Sequence, residues 1–328
     1  MSGYRTVRPR ALAALLALLV LLGLLALAAW RAQTLLASAL NGRRERAQAE
    51  ETTSEYTLRA EMLRQQARTR VGGWLSVVTP ERVTLVGARG ELRADVYPPI
   101  DGALDAPWAI VVHGGLGSSA SQVQDVACEL SLAGYRVLTP DLYAHGQSAG
   151  EICTLGVGDA QDVRAWVDWV LLREPEARIV LMGQDEGALA ILLAASQGLP
   201  DAVTAAALDS VCADVRARCD AYRSEIGADS ASDRALFDLA LRLTAGISPG
   251  DVDPRASAEK CLVALLLISG TFDSEVPAWH SEDIASAAPD ERLLLVEGAS
   301  HGMARYVEPD AYYGAMIGLF DACAKKEE

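Results

Sequence analysis

Three textures divide the chain. Residues 11 to 30, ALAALLALLVLLGLLALAAW, hold no charged or strongly polar side chain. Twenty such residues make a helix about 30 Å long, the thickness of the hydrocarbon core of a bilayer. Residues 31 to 79 are polar and lack proline as far as residue 79, which predicts a helical stalk with Ser54 as a cap in SEYTLRAEML. From about residue 80 short apolar runs alternate with amphipathic stretches. RVTLVG and ELRADVYPP read as a strand pair whose turn is bounded by Gly87 and Gly90. WAIVVHGG, YRVLTPDL, RIVLMG, AVTAAALDS and LVALLLISG read as buried strands. Between them, SQVQDVACELSLAG and DAQDVRAWVDWVLLREP read as helices, the second with Val163, Trp166, Val167 and Val170 at helical spacing. The alternation predicts an α/β fold with a mostly parallel sheet covered by helices on both faces. Chemistry is then expected just beyond the carboxyl ends of the strands. Residues 211 to 259 interrupt the alternation with two helical pieces and are expected to form a lid, in which Leu236, Leu239, Ala240 and Leu243 make one apolar stripe.

Charge narrows the range of partners. The 328 residues carry a net charge of −15, and the only lysines are Lys260, Lys325 and Lys326. Phosphate backbones need basic patches, so nucleic acid is excluded as a partner class. At the N-terminus, Arg5, Arg8 and Arg10 precede the apolar span and Trp30 and Arg31 close it. Ala26-Leu27-Ala28 offers a signal-peptidase site, but the apolar core of a cleaved signal is usually ~7–15 residues, so a transmembrane anchor is favoured. Arg31, Arg43, Arg44 and Arg46 nearly balance the flanking charge; the expected orientation places the main domain outside. The expected layout is a basic tail (1–10), an anchor (11–30), a stalk (31–79) and an α/β domain (80–325) with its lid at 211–259. The four histidines are scattered and no cysteine pair has ligand spacing, so neither metal nor cofactor is expected. The six cysteines are expected to be buried free thiols; on one helix Cys212 and Cys219 would stand about 10 Å apart, too far to bridge.

Five segments carry the candidate chemistry, in this order: HGGLGSS (113–119), GYRVLTPDLYAHGQSAG (134–150), GQDEG (183–187), ISGTFDSEVP (268–277) and VEGASHGM (296–303). Their order and spacing resemble the α/β-hydrolase superfamily over residues 80 to 325. The nearest likeness is to the lysophospholipase, monoacylglycerol-lipase and serine-aminopeptidase-like branch. The resemblance implies that Gly183 and Gly187 flank a sharp strand-to-helix turn whose central residue, a serine in the family, is here Asp185. It implies Asp273 and His301 as the other triad members, and the N–H groups of Gly115 and Glu186 as an oxyanion hole. It also implies a small or lipid-like substrate. His113 and His145 are expected to brace loops, His280 shows no partner signal, and Ser118, Ser119 and Ser148 match serines of structural loops.

The aspartate at the turn divides the functional reading. Haloalkane dehalogenases and epoxide hydrolases look similar there and attack an alkyl carbon through Asp. This chain lacks their proline in HGGLGSS and has Glu186 where dehalogenases place a halide-binding Trp. An Asp185–His301–Asp273 arrangement should raise the pKa of His301, and a permanently protonated histidine is a poor general base. Two readings follow: a membrane-anchored hydrolase with an atypical Asp185–Asp273–His301 triad, or a catalytically silent domain that binds a ligand or a protein. A scaffold in which anchor and stalk matter most ranks third.

Overall fold

A computed structural model describes residues 9–42, 55–116 and 118–324. The basic residues Arg5, Arg8, Arg43, Arg44 and Arg46, the cap Ser54, and Lys325 and Lys326 lie outside the described residues. The chain enters through helices α1 (Pro9–Ala39) and α2 (Glu55–Leu75). A strand pair follows, β1 (Glu81–Gly87) and β2 (Gly90–Tyr97), paired antiparallel around Gly87 and Gly90 as the sequence predicts. Then come β3 (Trp108–Val112), α3 (Gln124–Leu132), β4 (Arg136–Asp141), α4 (Asp159–Arg173), β5 (Ile179–Gln184), α5 (Glu186–Ser196) and β6 (Val203–Asp209). The lid helices α6 (Val215–Glu225) and α7 (Ala231–Ala245) separate β6 from α8 (Pro254–Glu259) and β7 (Ala264–Gly270). The chain closes with α9 (Trp279–Ala287), β8 (Leu293–Val296), α10 (Ala304–Val307) and α11 (Pro309–Ala324).

The eight strands form one sheet in the order β1-β2-β4-β3-β5-β6-β7-β8. All pairs from β4 to β8 are parallel, and β1 and β2 are antiparallel additions at one edge. Alternate residues of each strand face opposite layers, because strand side chains have a period of two. Trp108, Ile110 and Val112 of β3 point to the layer of α4, α5, α8 and α9, while Ala109 and Val111 point to α2, α3, α10 and α11. Both faces being covered, the central strands read as continuous apolar runs. Helix α5 is buried all round apart from its last residue, which explains its unbroken apolar sequence ALAILLAA.

Two boundaries differ from expectation. Residues 55–75 are no free-standing spacer. Ala60, Trp74 and Val78 are buried in the core layer of α3 and α11, with Leu63, Ala67 and Val71 packed on it. Trp74 also donates its indole N–H to the Ser131 hydroxyl at 3.1 Å. In addition, α8 lies inside the expected lid range but belongs to the core, where Ala258 packs with α5 and α9. The lid is therefore α6 and α7. Helix α1 contains one segment long and apolar enough to cross a membrane, Leu16–Ala39. Its exposed part is Leu16 to Trp30; Leu35, Leu36, Ala39 and Leu40 are buried against the lid beside Tyr222, Phe237 and Leu241.

Candidate active site

Asp185 occupies the turn between β5 and α5, with φ 51° and ψ −115°. A side chain in that region costs on the order of 1–3 kcal/mol and persists only where the surroundings enforce it. Here they do. A Cβ on Gly183 would meet the Ala188 nitrogen at 2.6 Å, and one on Gly187 would meet the His113 oxygen at 2.3 Å. The strand, the turn and the helix start pack too closely for any residue but glycine at those two positions. The Asp185 N–H donates to the Asp209 oxygen at 2.8 Å, which ties the turn to the end of β6.

The three expected triad residues converge. His301, in the loop after β8, has Nδ1 2.8 Å from Asp273 Oδ2 and Nε2 3.6 Å from Asp185 Oδ2. Asp273 is held in turn by the N–H groups of Glu275 and Val276 at 2.9 and 2.8 Å. Burial alone would lower the pKa of His301. The hydrogen bonds and charges of Asp185 and Asp273 override it and hold the ring well above its usual range. The rise is the direction that the sequence reading expected.

Two features fill the space around Asp185. Arg218, on α6, places Nη2 2.8 Å from Asp185 Oδ2, with both side chains 6% exposed, and Nη1 3.4 Å from Glu275 Oε2. Burial works against the Arg218 cation, but Asp185 first, with Glu186 and Glu275, keeps its pKa well above the ordinary value. Glu186 turns its carboxylate back beneath the lid, where the Tyr222 hydroxyl donates to Oε1 at 2.7 Å. Burial and then the charge of Asp185 push Glu186 up to about 7. A Cβ on Gly115 would stand 2.7 Å from the Glu186 carboxyl carbon. Gly115 and Glu186 do meet, then, but the space beside Gly115 holds the carboxylate of Glu186. The room left between Leu155, Leu189, Cys212, Val215 and the Asp185–Arg218 pair is about 10 Å³, the size of one water molecule.

The remaining candidates have structural partners. Nε2 of His113 accepts the Leu142 N–H at 3.0 Å, and burial, then His145, lowers its pKa to about 4. His145 Nδ1 lies 2.9 Å from the Tyr143 oxygen. Ser148 bonds the Asp141 oxygen at 2.7 Å, and Ser119 bonds Ser121. His280, without a partner signal in the sequence, accepts the Ala213 N–H at 3.1 Å and so pins the root of the lid. All six cysteines are free, and only Cys323 is partly exposed. Among the described residues no three His, Cys, Asp or Glu side chains converge as a metal site. Sequence reasoning missed Arg218, Tyr222 and Glu275. The available signal was the DE pair at the turn: two adjacent buried carboxylates demand a cation, and the lid segment VRARCDAYRSE supplies arginines.

The fold agrees with the comparisons. A family model for the alpha/beta hydrolase fold matches residues 107–238. No curated protein matches the sequence. Among solved structures, the Pyrococcus furiosus esterase Pf2001 superposes with a TM-score of 0.60 at 19% identity, covering 75% of this chain and 93% of that one. A Mycobacterium tuberculosis puromycin-hydrolyzing peptidase gives 0.59 at 22% identity, covering 76% of this chain and 40% of that one. The enol-lactonase from Burkholderia xenovorans gives 0.53 at 21% identity, covering 72% and 99%. The chain has the α/β-hydrolase fold, with a helical lid between β6 and β7 and two further helices before the strands.

Proposed function

We propose that this chain is a membrane-tethered, catalytically silent member of the α/β-hydrolase superfamily, a binding module whose former reaction centre serves as an ion-pair lock. The observation that carries this reading is the 2.8 Å contact between Arg218 and Asp185. An aspartate acting as nucleophile must reach an electrophilic carbon, and here its oxygen faces a buried guanidinium delivered by the lid. Two further points support it. The raised pKa of His301 leaves less of it in the free-base form that activates water, and the Glu186 side chain fills the space beside Gly115 that an oxyanion would need. The apolar stretch that ends at Trp30 provides the tether, with the domain on the extracytoplasmic side.

The retained geometry favours a second reading, a hydrolase of a small or lipid-like substrate that works through Asp185 once the lid lifts. His301 and Asp273 stand 2.8 Å apart at the positions a working triad needs. Single turnover in heavy-oxygen water with alkyl halides, epoxides and esters separates the two. The silent reading expects no label in the peptide containing Asp185 from any of the three classes. Label there establishes covalent catalysis and ends the silent reading.

A further inference from the structure

The lid meets the elbow at a buried acid that lacks a counter-ion of its own. Glu186 is 3% exposed. Its Oε1 accepts the Tyr222 hydroxyl of α6 at 2.7 Å, and its Oε2 is buried with no hydrogen-bond partner among the described residues. The guanidinium nearby is committed elsewhere. Arg218 donates from Nη2 to Asp185 Oδ2 at 2.8 Å and from Nη1 to Glu275 Oε2 at 3.4 Å. The other charged or titratable groups around Glu186 are Asp185 beside it, Asp159 at the start of α4, and the thiols of Cys153 and Cys219. Burial pushes both thiols up, away from neutrality, and the two carboxylates repel a charge on Glu186. An ionised Glu186 beneath the lid thus has one donor among the described residues against two like charges, and the void of about 10 Å³ there admits no more than one water.

Relief of that charge comes from one side only. The elbow is fixed, because Gly183 and Gly187 are packed to contact and α5 is buried along its length. The movable side is α6. This 11-residue helix lies between a root at Ala213, whose N–H is accepted by His280 Nδ1 at 3.1 Å, and a turn at Gly227 with φ 69°. It carries both Tyr222 and Arg218. Lifting it gives Glu186 to water, where a carboxyl ionises near 4.5; beneath the lid, burial and then Asp185 push it up to about 7. The protonated form therefore favours the closed lid in full below about pH 4.5, and that preference is lost as pH rises through about 7.

We propose that Glu186 and α6 form a pH-operated latch: with Glu186 protonated the lid rests on the elbow, and its ionisation lifts α6 and opens the cleft over Asp185 and His301. The latch governs access alone and is independent of whether Asp185 reacts. Double electron–electron resonance on the full chain in nanodiscs tests it. Spin labels go on Ala221→Cys of α6 and Gln161→Cys of α4, both exposed positions, in a Cys323→Ser background that leaves only buried native thiols. Between about pH 6 and about pH 8.5 the longer-distance population should grow at least about fivefold in the chain with Glu186 and stay constant in Glu186→Gln. Burial lowers His280 at the lid root and pushes Asp162 up to about 7, but Glu186→Gln keeps both, so their effects appear equally in the two proteins. Should that variant not fold, Glu186→Met removes the same proton. The proposal is overturned by one distance distribution at both pH values or by an equal shift in the non-titrating variant. It is also overturned if helix content, read by circular dichroism, falls in step with the shift, which marks general unfolding.

Discussion

Asp185 and Glu186 set two carboxylates side by side where water is largely excluded, and a single guanidinium, Arg218, serves both. The two acids divide the burden unequally. Asp185 keeps the ion pair, while Glu186 holds its proton up to about pH 7. The unfolded chain releases that proton near pH 4.5, so below this value the protonated form stabilises the fold in full, and the contribution disappears as pH rises through about 7. Glu186→Gln does not titrate. Relative to that variant the native chain should lose about 3 kcal/mol of stability between about pH 4 and about pH 8. His113 and Asp162 also shift, but they are common to both proteins and cancel in the difference. Urea unfolding of the pair across this range checks it, and parallel pH profiles would refute it. The ion pair itself yields a second expectation. Arg218→Met removes the guanidinium from the buried pair, leaves Asp185 with the longer 3.6 Å contact to His301, and should cost about 3–5 kcal/mol. Adding Asp185→Asn should recover most of that loss, as judged by the unfolding midpoints of the single and double variants.

The lock sits on α6, and α6 is held from above by a helix that the sequence presents as an anchor. The last turns of α1 bury Leu35, Leu36, Ala39 and Leu40 against Tyr222, Phe237 and Leu241, and Arg31 pairs with Asp233 of α7 at 2.9 Å. Leu36→Ala/Leu40→Ala should therefore loosen the lid before it loosens the core. Cys219 on α6 is 1% exposed and reports on this directly. Its maleimide labelling should accelerate about tenfold or more, while Cys128 and Cys261, buried in the two core layers, keep their native rates. Equal acceleration at all three would mean general unfolding. The same elements show what a sequence reveals. Buried strands were legible because an apolar run bounded by turn residues has few alternatives, and the triad because its residues follow strand ends in a known order. The packing of α2 was hidden by its arginines, glutamates and glutamines, although Ala60, Leu63, Ala67, Val71, Trp74 and Val78 recur at intervals of three and four. Polar residues outnumber that stripe, and composition outweighed spacing. Arg218 was invisible for another reason. Its partner lies 33 residues away, and only the lid's fold over the elbow makes them neighbours.

At the scale of the whole molecule, α1 changes character along its length, and the change falls near Arg31. Before it, Leu16 to Leu27 are about half exposed or more and Trp30 is 66% exposed, a surface suited to lipid. After it, burial against the lid takes over, from Ala32 at 7% to Leu40 at 0%. The proposed anchor and the lid support are thus separable by truncation. A chain beginning at Arg31 should lose the proposed tether and become soluble while keeping the buried side chains Ala32, Leu35, Leu36, Ala39 and Leu40, so its melting temperature should match that of the full chain. A chain beginning at Asn41 also loses the burial of Leu35, Leu36 and Leu40, on the order of 5 kcal/mol. It further loses the bond from the Cys153 N–H to the Leu40 oxygen at 2.8 Å, which ties α1 to the loop before α4. It should melt earlier, with its lid segment, residues 211–249, the first to be cut by protease. If the two truncated chains melt together, the end of α1 contributes nothing to the lid, and the Asp185–Arg218 contact must be held by α6 and α7 alone.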